Sequence, residues 1–278
     1  MTHNAYYGSM APEQLADRAS EHAEEVTTLG YSILPNVVAA TELDTWRERI
    51  DSTYAAQEAE FGGRAALETI GEADMCRAPL LYDPSFVQLA NHPRVLEVVR
   101  CLIGDWVILN LQNAIINRPD LRHHQSQWHR DLPYQEWVIS RPLAIGALFA
   151  IDSFDRETGG TLVLPSTHRQ PKIPSQSYLS RHAVQLDAPA GSVILFDAMT
   201  FHRAGTNVSE RVRRGVNHLY TVPILKQQYD FPRALGDAFT DDPALKQLLG
   251  YTSAVPVTAL GWRQDRQKRL LARKGASQ

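Results

Sequence analysis

The sequence predicts an all-β core with α-helical flanks, arranged as a sandwich or a double-sheet jelly roll. Two observations carry this. Five short apolar or alternating runs, at 107–116, 143–151, 160–164, 192–196 and 215–222, follow one another with Gly, Pro, Asp or Ser clusters between them. On either side of this stretch, the apolar residues instead recur at helical spacing.

The elements follow in order. A helix is expected over 12–29: Pro12 stands near its start, Leu15, Ala19, Ala23 and Val26 mark one face, and Gly30 follows its end. The run 31–38 has strand character until Pro35 breaks it. Thr41 opens a second helix through Leu43, Trp46, Ile50 and Tyr54. The segment 58–76 is weakly patterned, contains Gly62-Gly63, and reads as a lid or mobile loop. Asp83-Pro84 and His92-Pro93 each put proline at a helix start, where its missing N–H costs nothing. The strand runs then begin after Gly104. Beyond Pro223 the chain reads as helical again and ends in a basic, polar tail over 262–278, a solvated helix face. No internal repeat or Pro/Ser-rich linker divides the sequence. It therefore reads as a single domain over 1–278: a helical N-terminal support and lid (1–103), a jelly-roll core (104–224) and a helical C-terminal segment (225–278).

Composition narrows the function. The 278 residues carry 28 Lys+Arg against 31 Asp+Glu, a formal charge of −3, so neither a nucleic-acid coat nor a polybasic membrane surface is expected. Cys76 and Cys101 are the two cysteines, with no C-x-x-C spacing. That excludes a disulfide framework and argues against a thiolate zinc site. No basic n-region precedes an apolar stretch at the N-terminus, and no run is long enough to span a bilayer. The expectation is a soluble, cytoplasmic protein.

The chemistry concentrates in four segments. In Trp128-His129-Arg130-Asp131, residues two apart on a strand share a face, so His129 and Asp131 converge on one ion. His202, in Phe201-His202-Arg203-Ala204-Gly205, is the candidate third ligand. Two imidazoles and one carboxylate on one side of an ion leave the other side open, the facial arrangement of non-haem Fe(II) oxygenases. Arg213 lies eleven residues past His202, and its fork suits a dicarboxylate. The remaining segments are Glu157-Thr158-Gly159-Gly160-Thr161, running on to Pro165-Ser166-Thr167-His168, and Gly191-Ser192-Val193-Ile194-Leu195-Phe196-Asp197.

In order and spacing these segments, WHRD (128–131), ETGGTLVLPSTH (157–168), GSVILFDAMTFH (191–202) and HRAGTNVSERVR (202–213), resemble the phytanoyl-CoA dioxygenase family of Fe(II)/2-oxoglutarate-dependent oxygenases. The likeness spans roughly residues 25–225. Thr158 departs from the family's usual Asn, and Ser166-Thr167 from Gly-Ser; both concern turn geometry rather than the metal set.

The resemblance implies a cupin-like double-stranded β-helix that uses Fe(II), O2 and 2-oxoglutarate. It implies that His129, Asp131 and His202 bind iron, and that Arg213, with the Thr161 hydroxyl, holds the distal carboxylate of 2-oxoglutarate. Gln112, in register with Ala114 and Ile116, resembles the family's co-substrate amide. Gln127, on His129's face by strand alternation, competes with it for that role. Tyr134 and Trp137 are candidates for the substrate pocket, with core packing as the alternative. His123-His124 read as loop residues at the pocket mouth and His168 as structural. Arg211 and Arg214 read as solvent-facing or as partners of acidic groups. The implied reaction oxidises an unactivated C–H of a small molecule, releasing succinate and CO2, in secondary-metabolite biosynthesis. Asp131 argues for a hydroxylase-type outcome over halogenation. The protein is expected to be a monomer or homodimer. Two other classes are a metal-dependent hydrolase or lyase, for which Arg213 has no use, and a non-catalytic jelly-roll binder, for which three convergent ligands have none.

Overall fold

The computed structural model describes Pro12, Gln14, Leu15, residues 17–119 and residues 124–275. Its helices are α1 (Arg18–Leu29), α2 (Leu43–Phe61), α3 (Arg64–Thr69), α4 (Val87–Ala90), α5 (Pro93–Ile103), α6 (Gln176–His182), α7 (Phe231–Leu235), α8 (Pro243–Leu248) and α9 (Ala259–Gly275). Its strands are β1 (Tyr31–Leu34), β2 (Met75–Arg77), β3 (Ile108–Asn117), β4 (Ala144–Ala150), β5 (Leu162–Val163), β6 (Val184–Gln185), β7 (Val193–Asp197), β8 (His202–Arg203) and β9 (Arg213–Thr221).

Two antiparallel sheets form among the described residues, a six-stranded one ordered β1-β7-β4-β9-β3-β2 and a three-stranded one ordered β6-β5-β8. The large sheet is buried on both faces, which is why β4 and β7 read as continuous apolar runs instead of alternating ones. Strand parity sorts its side chains. Ala114, Ile116, Ala147, Phe149, Leu195 and Tyr220 pack against Val26 of α1, Trp46 and Ile50 of α2, and Val95 and Val99 of α5. Ile115, Leu148, Ala150, Ile194 and Phe196 face the other way, toward Val163 and Leu186 of the small sheet. The site lies between the sheets on this second side.

Three expectations change. The first helix starts at Arg18, not Pro12, because the Asp17 carboxylate caps Ser20 N–H at 2.8 Å. The 58–76 segment is not a loop. Helix α2 runs to Phe61, Gly62 takes a left-handed φ of 103° to end it, α3 follows, and Met75 begins β2. The run 31–38 forms β1 and ends before Pro35, as read, but β2 is an unexpected second strand in the 1–103 stretch, and together they form the two edges of the large sheet.

The structure also corrects Gln112. Alternation puts it on the face of Ala114 and Ile116, as read, but that face meets the helices. The amide is fully buried there: Oε1 accepts from Leu80 N–H at 3.0 Å, and Nε2 donates to Phe86 O at 3.0 Å and contacts His218 Nε2 at 2.8 Å. Gln112 therefore ties β3 to the turns before α4 and leaves nothing for a co-substrate. Replacing it with Ala strands a buried N–H and a buried carbonyl and opens a void. We expect Gln112→Ala to cost about 2–4 kcal/mol in urea unfolding. A cost below about 0.5 kcal/mol would show that the clamp is not needed.

Candidate metal centre

The centre is built where two distant segments pair. His129 N–H donates to His202 O at 3.0 Å and His202 N–H to His129 O at 3.1 Å. Asp131 N–H donates to Ala198 O at 3.0 Å. This bridge sets the two imidazoles side by side, with ring centroids 4.4 Å apart and planes tilted by 56°, and brings Asp131 Oδ1 within 3.6 Å of His202 Nε2. One ligand atom from each of His129, Asp131 and His202 lies within 4.8 Å of the others. Small side-chain rotations close such a set on one ion at bonds of about 2.0–2.2 Å.

The donor chemistry fits a metal. Each imidazole places Nδ1 beside the carbonyl two residues back: Gln127 O at 2.9 Å for His129 and Thr200 O at 3.0 Å for His202. A carbonyl can only accept, so Nδ1 carries the proton and Nε2 keeps a lone pair for an ion. Burial lowers the pKa of His202, against the opposing pull of Asp131, and so favours the neutral ligand form. Asp131 Oδ2 is buried with no hydrogen-bond partner. Such an atom is costly unless something charged meets it.

Arg130, between two of these residues, points the other way and is buried. Its guanidinium donates to Met199 O at 2.8 Å, Pro171 O at 3.0 Å and Thr167 O at 3.2 Å, and also to Gln170 O. It stacks 3.8 Å from the centroid of Phe201, the neighbour of His202. One side chain thus fixes the His129–Asp131 segment to the loop that delivers His202.

The cleft around the triad holds about 450 Å³, part of it open to solvent, and is lined also by Gln125, Thr161, Arg213, Asn217 and apolar Leu148, Phe154 and Phe196. Alternation on β9 separates Arg213 from Arg214, while Arg211 lies in the bend before the strand. Arg211 reaches Asp155 and Glu157 at 3.6 and 3.8 Å; Arg214 pairs with Asp51 and Asp152 at 2.8 and 3.1 Å. Arg213, with its side chain turned inward, forms no ion pair among the described residues. Its Nη1 donates to Gly159 O at 2.7 Å, its Cζ lies 4.1 Å from the Phe154 centroid, and its Nε has no partner. Burial pushes its pKa down to about 10, so it keeps its charge at neutral pH in a place that calls for an anion.

Glycines hold the Gly159 carbonyl in position. The Gly159-Gly160 turn packs backbone to backbone on Gly205, where a Cβ on Gly159 would sit 2.6 Å from Gly205 O. Asn207 closes the next turn by donating to Asn117 O at 2.9 Å and Arg211 O at 2.7 Å.

The sequence candidates thus divide. His129, Asp131, His202, Arg213 and Thr161 share the cleft. Gln127 does not: residues 124–126 form a 3-10 turn and not a strand, so alternation fails, its side chain is exposed, and its carbonyl alone serves His129. Tyr134 and Trp137 are neither core nor cleft, with 91% and 54% of their surface exposed. His168 is buried against Thr27 O, as a structural residue would be. His123 lies outside the described residues. Gln125 and Asn217 were missed; Asn217 was findable, since it sits four residues from Arg213 on one strand face.

Two outcomes follow. Arg130→Met should lower Co(II) affinity at least tenfold and shift the d–d spectrum of the bound Co(II), which loss of global stability alone would not do. An unchanged spectrum and affinity would remove Arg130 from the metal site's support. Asp197 is the second case. Burial raises its pKa from 3.8 to about 6, against the Met199 N–H it accepts at 2.8 Å and the charge of Arg130. A raised acid pKa means the folded state pays for the charge above pH 6 and pays nothing below pH 4. Asp197→Asn should therefore stabilise the protein by about 3 kcal/mol at pH 8 and by less than about 1 kcal/mol at pH 4. Equal effects at both pH values would contradict this.

Comparison with known proteins agrees with the geometry. The family model "Phytanoyl-CoA dioxygenase (PhyH)" matches residues 27–215. The uncharacterized protein Rv1501 of Mycobacterium tuberculosis is 36% identical over 264 residues, 91% of this chain and 93% of that one. The ectoine dioxygenase of Stutzerimonas stutzeri is 22% identical over 73% of this chain and 76% of its own. Among solved structures, the epimerase SnoN in complex with Fe3+, alpha ketoglutarate and nogalamycin RO superposes with a TM-score of 0.60 at 18% identity, covering 81% of this chain and 92% of that one. Among the described residues no helix is long and apolar enough to cross a membrane. The chain belongs to the phytanoyl-CoA dioxygenase family of Fe(II)- and 2-oxoglutarate-dependent oxygenases and has their double-stranded β-helix fold.

Proposed function

We propose that the protein oxidises an unactivated C–H bond of a small organic molecule, by hydroxylation or a related desaturation, epoxidation or cyclisation, within secondary-metabolite biosynthesis. His129, Asp131 and His202 hold the iron, and Arg213 with Thr161 holds the distal carboxylate of 2-oxoglutarate. The observation that carries this reading is the unpaired, buried Arg213 in the same cleft as the three ligands. A hydrolytic metal site would have no use for it.

Bound iron supplies the O2 and one-electron chemistry that no side chain offers. The chain's residues do the rest. The two Nδ1–H donors fix the ring orientations, so the ligands would meet the ion with only small side-chain rotations. Asp131 fills the position that a halide ligand would need, which favours oxygenation over halogenation. Leu148, Phe154 and Phe196 keep the cleft apolar, which excludes water and strengthens the pull of Arg213 on a carboxylate. Neighbours described as an epimerase, SnoN, and a carbocyclase, SnoK, both alpha ketoglutarate dependent, support the wider set of outcomes for one scaffold.

Arg213→Leu should raise the Kd for 2-oxoglutarate at least about thirtyfold in anaerobic titration, the loss of a buried charge-assisted pair, while metal content stays at that of the native protein. A Kd within twofold of native would place the co-substrate elsewhere.

A further inference from the structure

We infer that the protein forms a two-fold dimer in which the C-terminal arm of each copy, residues 254–271, crosses to the other copy and lays α9 in a groove at the β2 edge.

The arm is the first observation. Val257 is 98% exposed, Leu260 and Leu271 are 64% and 63% exposed, and Val255, Trp262 and Leu270 are exposed as well. No side chain in this stretch is buried. Leu260, Gln264, Gln267 and Leu271, spaced i, i+4, i+7 and i+11, lie along one face of the helix, about 16 Å from end to end. Over these residues α9 neither covers the body of its own chain nor is covered by it. A soluble monomer rarely leaves so many large apolar side chains unburied on one segment.

The groove is the second observation. It holds about 1140 Å³, part of it open to solvent, and its walls include Phe61, Leu67, Ile70, Leu81 and Tyr82. All of these but Leu67 are exposed.

Charge pairs the two. Helix α9 carries six Lys and Arg against Asp265 alone. The stretch 57–77, which supplies most of the groove wall, holds five Asp and Glu against two Arg. Both arginines are already committed, Arg64 to Asp74 at 2.7 Å and Arg77 to Glu72. Glu60, exposed at the rim, accepts from the Tyr82 hydroxyl and meets no cation among the described residues. The surplus is thus acidic on the groove and basic on the helix, and opposite signs bring them together. Pairing α9 with α9 would instead set six cations against six, which like-charge repulsion opposes. Arm and groove belong to the same chain, so one two-fold contact covers both arms and fills both grooves.

Two double variants separate the halves of this contact. Leu260→Asp with Leu271→Asp spoils the arm and keeps the groove. Phe61→Asp with Ile70→Asp spoils the groove and keeps the arm. In sedimentation equilibrium we expect the native protein to be a dimer and each double variant alone a monomer. Mixed in equal amounts at about 100 µM, enough to populate a one-armed pair of micromolar Kd, the two variants should form a heterodimer, because one intact arm still faces one intact groove. A native circular-dichroism melt shows that each variant is folded; one that is not is replaced by Ser at the same two positions. A native protein that stays monomeric, whether or not phosphatidylserine vesicles take up its arm, would overturn the inference. So would a dimer of the groove variant, the mark of α9 pairing with α9, a dimer of the arm variant, or a mixture that stays monomeric.

Discussion

The reciprocal backbone hydrogen bonds between His129 and His202 are the contact on which the site depends. They join segments more than seventy residues apart and set the proposed metal ligands by main-chain geometry, not by side-chain search. Everything else supports that bridge. Asp131 N–H extends it to Ala198, Arg130 ties its back to four carbonyls, and the large sheet supplies a rigid floor. Because the pairing is part of the small sheet's architecture, the ligand geometry exists before any ion arrives. Binding then costs little reorganisation.

The same economy explains the charge balance of the cleft. Arg213 and the open oxygen of Asp131 are of opposite sign, both are buried, and they do not neutralise each other through contact. Each would be expensive alone. A cation at the triad and a dianion at Arg213 would satisfy both. The Gly159-Gly160 turn matters here because its carbonyl accepts from the guanidinium and holds it in place, and glycine allows the close approach to Gly205. Stability is given up at these points in exchange for a preformed pocket.

Much of this was legible in the sequence. The five strand runs carried enough apolar character to be placed, and the two-residue spacing of His129 and Asp131 fixed their shared direction. Arg211 and Arg214 read as solvent-facing or acid-paired, and each meets acids, whereas the inward role of Arg213 came from the family resemblance. Other features had no sequence signal. Both faces of β3 are buried, so its pattern shows that Gln112 and Ala114 share a face but not which face meets the metal. Gln127 failed because it lies in the bend after the 3-10 turn, where no strand exists for alternation to apply to. Helix α2 outruns its apolar pattern because residues 55–60 are mostly exposed but strong helix formers, with Gln57 exchanging hydrogen bonds with the Arg77 backbone. The three-residue β2 is too short to read and is recruited by pairing with β3.

The most direct test of the account is anaerobic addition of 2-oxoglutarate to the Fe(II) protein, followed by visible charge-transfer absorption. One triad with an open side and one unpaired arginine predict a band that saturates at one iron and one 2-oxoglutarate per chain, and that is absent in His202→Ala. Iron bound without any such band, or an identical band in His202→Ala, would contradict the assignment of the centre.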